Sequence, residues 1–328
     1  AVYHTMLNVA EDVSSGEVDT SVVLEKFEKS CNINLVTDLG LDLYTNINDL
    51  IDDINSVERH IPSKWEWLDN NLGGGFLEAG KSLYVFAGET NIGKSIFLGN
   101  VAHNIAKEGK NVLLITLEMS ELLYARRICS NVTKVPMKEM VGNTPTIKEA
   151  IKDEKGKIFI KEFPPATITA NQLKGFIKKF QEQGIKLDAI VLDYLNLMHS
   201  TIGNNSYERI KHVTEQVRAM SYLFECPIIS ATQLNRAGFD QDNPDLATIS
   251  ESIGLAATAD VIVSIYQNEE DRELGIIRLG MMKNRYGPRG TTQAMRINYS
   301  TLSIEEADDI EFENDSDDTL NMLAGLAS

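Results

Sequence analysis

The sequence predicts an α/β fold, a mostly parallel twisted sheet flanked by helices, with an antiparallel β edge in the last third. Three observations carry this. From residue 82 onward, short apolar runs of strand length alternate with stretches of helical spacing. Glycines and capping residues stand between them. After residue 260 the helical stretches thin out and strand-like runs follow one another directly.

Taken in order, "DTSVVLEKFEKSCN" within residues 1–61 is an amphipathic helix at about 19–32. Asp19 or Thr20 caps it, and Val23, Leu24, Phe27 and Cys31 lie on one side. Such a segment is too short to fold alone. Its pattern fits equally a helix packed on its own domain and one lent to a neighbouring subunit. Pro62 and the run Gly73-Gly74-Gly75 lead into the core. "SLYVFAG" is a buried strand, "GKSIFLGNVAHNIAKEG" a helix closed by Gly109, "NVLLITLE" a strand, and "SELLYARRICSNV" a helix capped by Ser120. The rhythm repeats with "KIFIKEF", "TANQLKGFIKKFQEQG" and "LDAIVLDYLNLM", then with a helix over 205–224 and the strand "PIISATQ". "DVIVSIYQ", "LGIIRLGMMK" and "QAMRINYSTLSI" are successive strands. Residues 305–328 are acidic and then small and apolar, the composition of a solvated, disordered tail.

The 328 residues, 43% hydrophobic, suffice for at least one full core. No apolar run approaches the roughly 20 residues of a membrane helix, and the first residues lack a signal-peptide pattern, so a cytoplasmic, non-membrane setting is expected. Cys31, Cys129 and Cys226 are too scattered for a zinc knuckle or a disulfide framework and read as small buried hydrophobes. The net charge of −17 is uneven. Residues 1–60 carry −9 and residues 305–328 another −9, leaving +1 for the stretch between. The balanced centre does not exclude a polyanionic ligand, although it argues against a broad basic patch.

The most informative stretch is Gly88-Glu89-Thr90-Asn91-Ile92-Gly93-Lys94-Ser95, which fits the phosphate-loop pattern G-x-x-x-x-G-K-[ST] between a strand and a helix. Its amides and the helix N-terminus suit phosphate oxygens, Lys94 the β/γ-phosphates, and Ser95 a Mg²⁺ ion. ATP or another NTP is therefore the expected ligand. Asp193, ending "AIVLD", is the expected second magnesium-holding residue. Glu118, ending "LLITLE", suits a base that polarises attacking water. Gln233, ending "IISATQ", suits either a γ-phosphate sensor or a hydrogen bond to a loop. Glu, Asp and Gln at three strand ends beside one phosphate loop favour hydrolysis over mere nucleotide storage.

"GETNIGKS", "ITLEMS", "VLDYLNLM", "SATQLNR", "ISESIGLAATADVIVSIY" and "KNRYGPRGT" stand in the order and at about the spacing of one family's motifs. Over residues 62–304 the chain resembles the RecA-like motor domain, a P-loop NTPase core, of DnaB-family replicative helicases, in the manner of those carried by large tailed phages. The resemblance implies a homo-hexameric ring that encircles single-stranded DNA and moves 5′ to 3′ with NTP hydrolysis. It also implies a primase, a helicase loader or a single-strand binding protein as partners. Lys283 and Arg285 match the paired cations that reach a neighbouring subunit's site, with Arg285 as arginine finger. Arg127 matches a further arginine near the phosphates, a position that a structural salt bridge also explains. Ser250, Glu251, Ser252, Ile253 and Gly254 match the DNA-binding loop of the central channel. Here Ser250 stands where the bacterial pattern has arginine and Ile253 where it has glycine, so backbone amides and the Ser250 or Ser252 hydroxyls remain as phosphate donors. "HSTIGNNSYERIKH" fits both a second pore loop and a surface loop. On this resemblance the family's N-terminal collar is expected to be missing from this sequence, with residues 1–61 as the trailing linker of a truncated or processed chain and the helix at 19–32 as the one that docks on an adjacent subunit. A RecA-type recombinase and an ATP-gated ring assembly or signalling protein are the competing readings. The first lacks a visible strand-pairing apparatus, and single-stranded DNA separates the second.

Overall fold

The structure, a computed structural model, describes residue 51 and residues 58–307 except 153, 201, 204 and 235–252. The chain divides into two units, residues 1–57 and 58–328. The expected helix at 19–32 and residues 308–328 of the expected tail lie outside the described residues.

The second unit opens with β1 (His60–Ile61), α1 (Glu66–Asn71) and β2 (Phe76–Leu77), the two strands pairing antiparallel. The parallel units follow as β3 (Leu83–Gly88), α2 (Lys94–Lys107), β4 (Asn111–Thr116), α3 (Glu121–Thr133), α4 (Thr144–Lys152), β5 (Lys157–Glu162), α5 (Ala170–Glu182), β6 (Ala189–Asp193), α6 (Ser206–Leu223) and β7 (Ile228–Gln233). The last third comprises α7 (Ile253–Thr258), β8 (Val261–Tyr266), α8 (Glu269–Leu274), β9 (Ile276–Asn284), β10 (Thr292–Asn298) and β11 (Ser303–Glu306). Among the described residues these strands form one nine-stranded sheet in the order β11-β10-β9-β8-β3-β7-β6-β4-β5. Pairings from β8 to β5 are parallel and those from β8 to β11 antiparallel, as the sequence predicts.

The central strands read as unbroken apolar runs because both faces are covered. Tyr84 and Phe86 of β3 face one core layer, with Phe97, Leu98 and Val101 of α2 and Tyr124 of α3. Leu83, Val85 and Ala87 face the other, with Leu173 and Ile177 of α5 and Val213 and Val217 of α6. The helices start where expected. The Ser120 hydroxyl accepts from Leu123 N at 3.3 Å, and Thr169 and Gln172 form a reciprocal capping box on α5. Cys226 is fully buried, whereas Cys129 is half-buried, more open than its expected core role.

Two boundaries move. His60 and Ile61 belong to β1, so the fold begins before residue 62. At the other end, β11 runs to Glu306 and Ala307 is buried. The Glu306 carboxylate accepts from the Glu66 and Trp67 amides at 2.8 Å each, satisfying two orphan donors of α1. Residues 305–307 are therefore part of the folded unit and not of the tail. No helix among the described residues is long and apolar enough to cross a membrane.

Candidate active site

β3 delivers the chain to the phosphate loop at Gly88, whose backbone is approached closely from two sides. A Cβ there would lie 2.8 Å from Ile92 Cγ2 and 2.9 Å from the Ile265 carbonyl oxygen of β8. Gly93 caps α2 with φ 102°, and Asn91 has φ 65°. Left-handed residues at these places turn successive amides toward one concavity, the geometry of an anion nest. The Lys94 ammonium lies back over the loop, donating to the carbonyls of Gly88 at 3.1 Å and Glu89 at 2.5 Å. Burial lowers its pKa, and the nearby Glu118, Asp193 and Glu89 carboxylates oppose that shift.

Strand register brings the other expected residues to this edge. Gly88 is paired with Gln233 of β7 and with Ile265 of β8, and Thr116 of β4 with Asp193 of β6. Gln233 Nε2 donates to Thr90 Oγ1 at 2.6 Å, tying the end of β7 to the loop. Glu118 lies exposed, two residues beyond β4, and the Leu117 amide beside it donates to the Asp193 carbonyl at 2.7 Å. Arg127 of α3 is half-buried and lines a small cavity with Ser95 and Tyr124.

Asp193 is 0% exposed, and among the described residues neither carboxylate oxygen has a hydrogen-bond partner. Ser95 and Tyr124 lie close enough to favour its ionised form, but the Tyr124 hydroxyl gives its proton to the Ser95 carbonyl, at 2.9 Å. Burial, with a smaller contribution from Glu118, raises the Asp193 pKa to about 6, opposed by Ser95, Tyr124 and Lys94. A buried carboxylate without donors calls for a cation. Among the described residues no group of three His, Cys, Asp or Glu side chains forms a complete cage. The donor set is instead one carboxylate beside one hydroxyl, which fits Mg²⁺, an ion that keeps waters and takes phosphate oxygens.

Lys283 and Arg285 stand elsewhere. β9 runs antiparallel to β8 with Lys283 opposite Ile262, which places both cations at the amino end of β8 and β3. At about 3.3 Å per residue, the span of β3 separates that edge from Gly88 by about 16 Å. The Lys283 ammonium donates to the carbonyls of Ala256 at 2.7 Å, Ala257 at 3.1 Å and Ala259 at 2.7 Å, which uses all three of its protons at the end of α7. Burial and the neighbouring Arg285 lower its pKa. Arg285 is exposed and pairs with Asp260 at 3.0 Å.

Of the residues expected in the channel loop, Ser250, Glu251 and Ser252 lie outside the described residues, while Ile253 and Gly254 open α7. Three residues near these clusters escaped sequence reading. Tyr124 looks like core, and Arg218 looks like the solvent face of α6. Asp260 carried a signal, since an acid at the amino end of a buried strand needs a cation, and "KNR" lies on the next strand.

With this geometry in view, comparisons with known proteins are informative. Residues 60–302 match the family described as DnaB-like helicase C terminal domain. The chain is 28% identical over 283 residues to the DnaB-like replicative helicase of Enterobacteria phage T4, covering 81% of this chain and 58% of that one. It thus spans little more than half the length of that relative. Among solved structures, the ATPase domain of G40P superposes with a TM-score of 0.69 at 19% identity, covering 83% of this chain and all of that one. A DnaB-like replicative helicase, whose structure was described with its interactions with primase, gives 0.71 at 17% identity over 94% of this chain and 75% of that one. Likeness at such identity speaks for the fold.

Proposed function

The chain belongs to the DnaB-like helicase C-terminal domain family, and from that membership we propose that it is the motor of a replicative DNA helicase, a homo-hexameric ring that hydrolyses NTP to move 5′ to 3′ along single-stranded DNA and part the duplex. The observation that carries the reading is Asp193, a fully buried carboxylate without a partner beside the phosphate loop, at an edge shared with Glu118 and Gln233.

In this reading the loop amides and Lys94 cradle the triphosphate, and Lys94 exchanges its bonds to the Gly88 and Glu89 carbonyls for phosphate oxygens. Ser95 and Asp193 would hold Mg²⁺, which would supply charge neutralisation to the phosphates. Glu118, exposed at the mouth of the site, orients a water and takes its proton. Gln233 senses the γ-phosphate by letting go of Thr90. Arg127 adds positive charge on the α3 side, next to Ser95.

Arg285 cannot reach this site within its own protomer, because the length of β3 lies between them. It serves the nucleotide of the next protomer, where charge developing on the transferred phosphoryl group is stabilised only when the two are docked. Lys283 accompanies it and has to leave the carbonyls at the end of α7 to make the same contact. The segment from Ser250 to Gly254 faces DNA in the channel, where an amide-based grip repeated around an enclosed strand suffices. A primase, a helicase loader or a single-strand binding protein is the partner such a motor would meet.

The test is hydrolysis and strand separation by the 328-residue chain. Single-stranded DNA is expected to accelerate NTP turnover, and a forked duplex with a 5′ tail to be opened. A turnover rate indifferent to single strands, together with an intact fork, refutes the proposal in favour of a nucleotide-gated ring of another kind.

A further inference from the structure

The amino edge of the sheet holds more than the expected cation pair. Asp260, between α7 and β8, is 1% exposed, and three hydrogen-bond donors and a second guanidinium converge on its carboxylate. Arg218 of α6 binds it with two nitrogens, Nε to Oδ2 at 2.9 Å and Nη2 to Oδ1 at 2.8 Å. The Leu83 amide donates to Oδ2 at 2.9 Å, and Arg285 Nη1 lies 3.0 Å from Oδ1. Backbone bonds reinforce the joint, from Arg285 N to the Asp260 carbonyl at 3.2 Å and from Asp260 N to the Leu83 carbonyl at 3.0 Å.

Two features separate this from an ordinary ion pair. Arg218 already occupies the carboxylate in the bidentate manner that neutralises it, so Arg285 shares one oxygen through one nitrogen and the cluster keeps an excess of positive charge. Further, the carboxylate is fixed to Leu83, the first residue of the strand that ends in the phosphate loop. The anchor of Arg285 and the protomer's own phosphate loop are thus the two ends of one fully buried strand.

Resting on the reading of Arg285 as a group that acts on the neighbouring protomer's nucleotide, we propose that Asp260, pinned by Arg218, is a positioning residue that fixes the direction of the Arg285 guanidinium on the root of β3. Asp260 itself touches no nucleotide. It restricts Arg285 to one orientation and leaves the nitrogens that Asp260 does not engage for the neighbour, so that the finger need not be ordered at the moment of reaction.

The test is a double-mutant cycle on the full 328-residue chain, measuring kcat and KM for NTP with single-stranded DNA, and assembly by mass. Arg285→Ala is expected to lower kcat by roughly a thousandfold or more. Asp260→Asn is expected to lower it by roughly ten- to a hundredfold, the scale of a misplaced catalytic group, with KM and assembly unchanged. The double variant should be no slower than Arg285→Ala, since a finger that is absent cannot be misdirected. A purely structural role for Asp260 would instead multiply the two losses, and that outcome overturns the inference. If Arg285→Ala turns over normally, the reading beneath it fails as well, whatever Asp260→Asn does. Should Asp260→Asn melt below the assay temperature, Arg218→Gln replaces it, because the Leu83 hydrogen bond and the Arg285 ion pair to Asp260 survive. A folded Arg218→Gln chain with undiminished kcat overturns the role.

Discussion

Replacing Asp193 with Asn should make the nucleotide-free protein more stable while making it useless as an enzyme. The carboxylate is 0% exposed with both oxygens unpartnered, and burial lifts its pKa from the ordinary 3.8 to about 6. An acid whose folded pKa lies above its unfolded one binds its proton more tightly in the fold, so its burial is harmless below the unfolded value. The cost grows as pH rises through the interval and levels off above the folded value. The gap from 3.8 to about 6 corresponds to about 3 kcal/mol at the plateau. At pH 5 about half of that is already present. Asn keeps the shape and drops the charge, although its amide is unpartnered too, so the figure is a ceiling. At 2 to 4 °C per kcal/mol for a domain of this size, the melting temperature at pH 7.5 rises by at most roughly 6 to 12 °C, and by about half as much at pH 5. Thermal melts of both proteins in chelator across that pH range measure it. Adding Mg²⁺ should stabilise only the parent chain, because ligand binding to the folded state shifts its stability by mass action. An Asn variant that melts at or below the parent at pH 7.5 refutes the claim that the burial cost of the Asp193 charge outweighs its compensation by Ser95, Tyr124 and Lys94.

Replacing Glu118 with Gln should leave nucleotide binding, followed by fluorescence of a labelled NTP, intact while turnover falls by roughly 10²- to 10⁴-fold; substantial remaining turnover removes Glu118 from the base role. Arg285→Ala chains mixed with parent chains should suppress activity out of proportion to their share, since each sits at a junction, and a loss strictly linear in dose argues against a finger acting in trans. Truncation after residue 307 should spare both hydrolysis and melting temperature. Truncation after 304, which also removes the Glu306 carboxylate from the Glu66 and Trp67 amides, should cost about 1 kcal/mol or more, and equal melting of the two would deny that capping contact.

The parallel core was legible because burial on both faces gives β3, β4, β6, β7 and β8 continuous apolar runs. What escaped has a physical reason. α4 is only nine residues long, and its apolar positions Ile147, Ala150 and Ile151 reach no buried core, so its spacing alone did not mark it as an element. β1 and β2 are two residues each, shorter than any periodic pattern, and α1 is started by a carboxylate, Glu306, that is remote in sequence. In the site, Glu118, Asp193 and Gln233 were readable because each stands at or just past a strand end, where an α/β sheet opens to ligand, and Lys94 because it completes the phosphate-loop pattern at the start of α2. Arg218 was not, since its meaning arises only when α6 packs beneath the amino end of β8, 42 residues later in the chain. Tyr124 hid for the opposite cause, an apolar ring in the core whose hydroxyl alone faces the chemistry.

The sheet thus separates two kinds of charge by its own thickness along the strands. At the carboxyl edge lie Lys94, Ser95, Asp193, Glu118 and Gln233, the groups proposed to hold the nucleotide and its attacking water. At the amino edge lies a cluster of Arg218, Lys283 and Arg285 around one carboxylate. Neither edge is chemically self-sufficient. The first has a buried anion awaiting a cation, and the second has cations in excess of the one anion among them. β3 is rigid because both its faces are packed, so it cannot fold the edges together. The proposed ring resolves this, because each protomer would then supply from its amino edge the cation that its neighbour's site lacks.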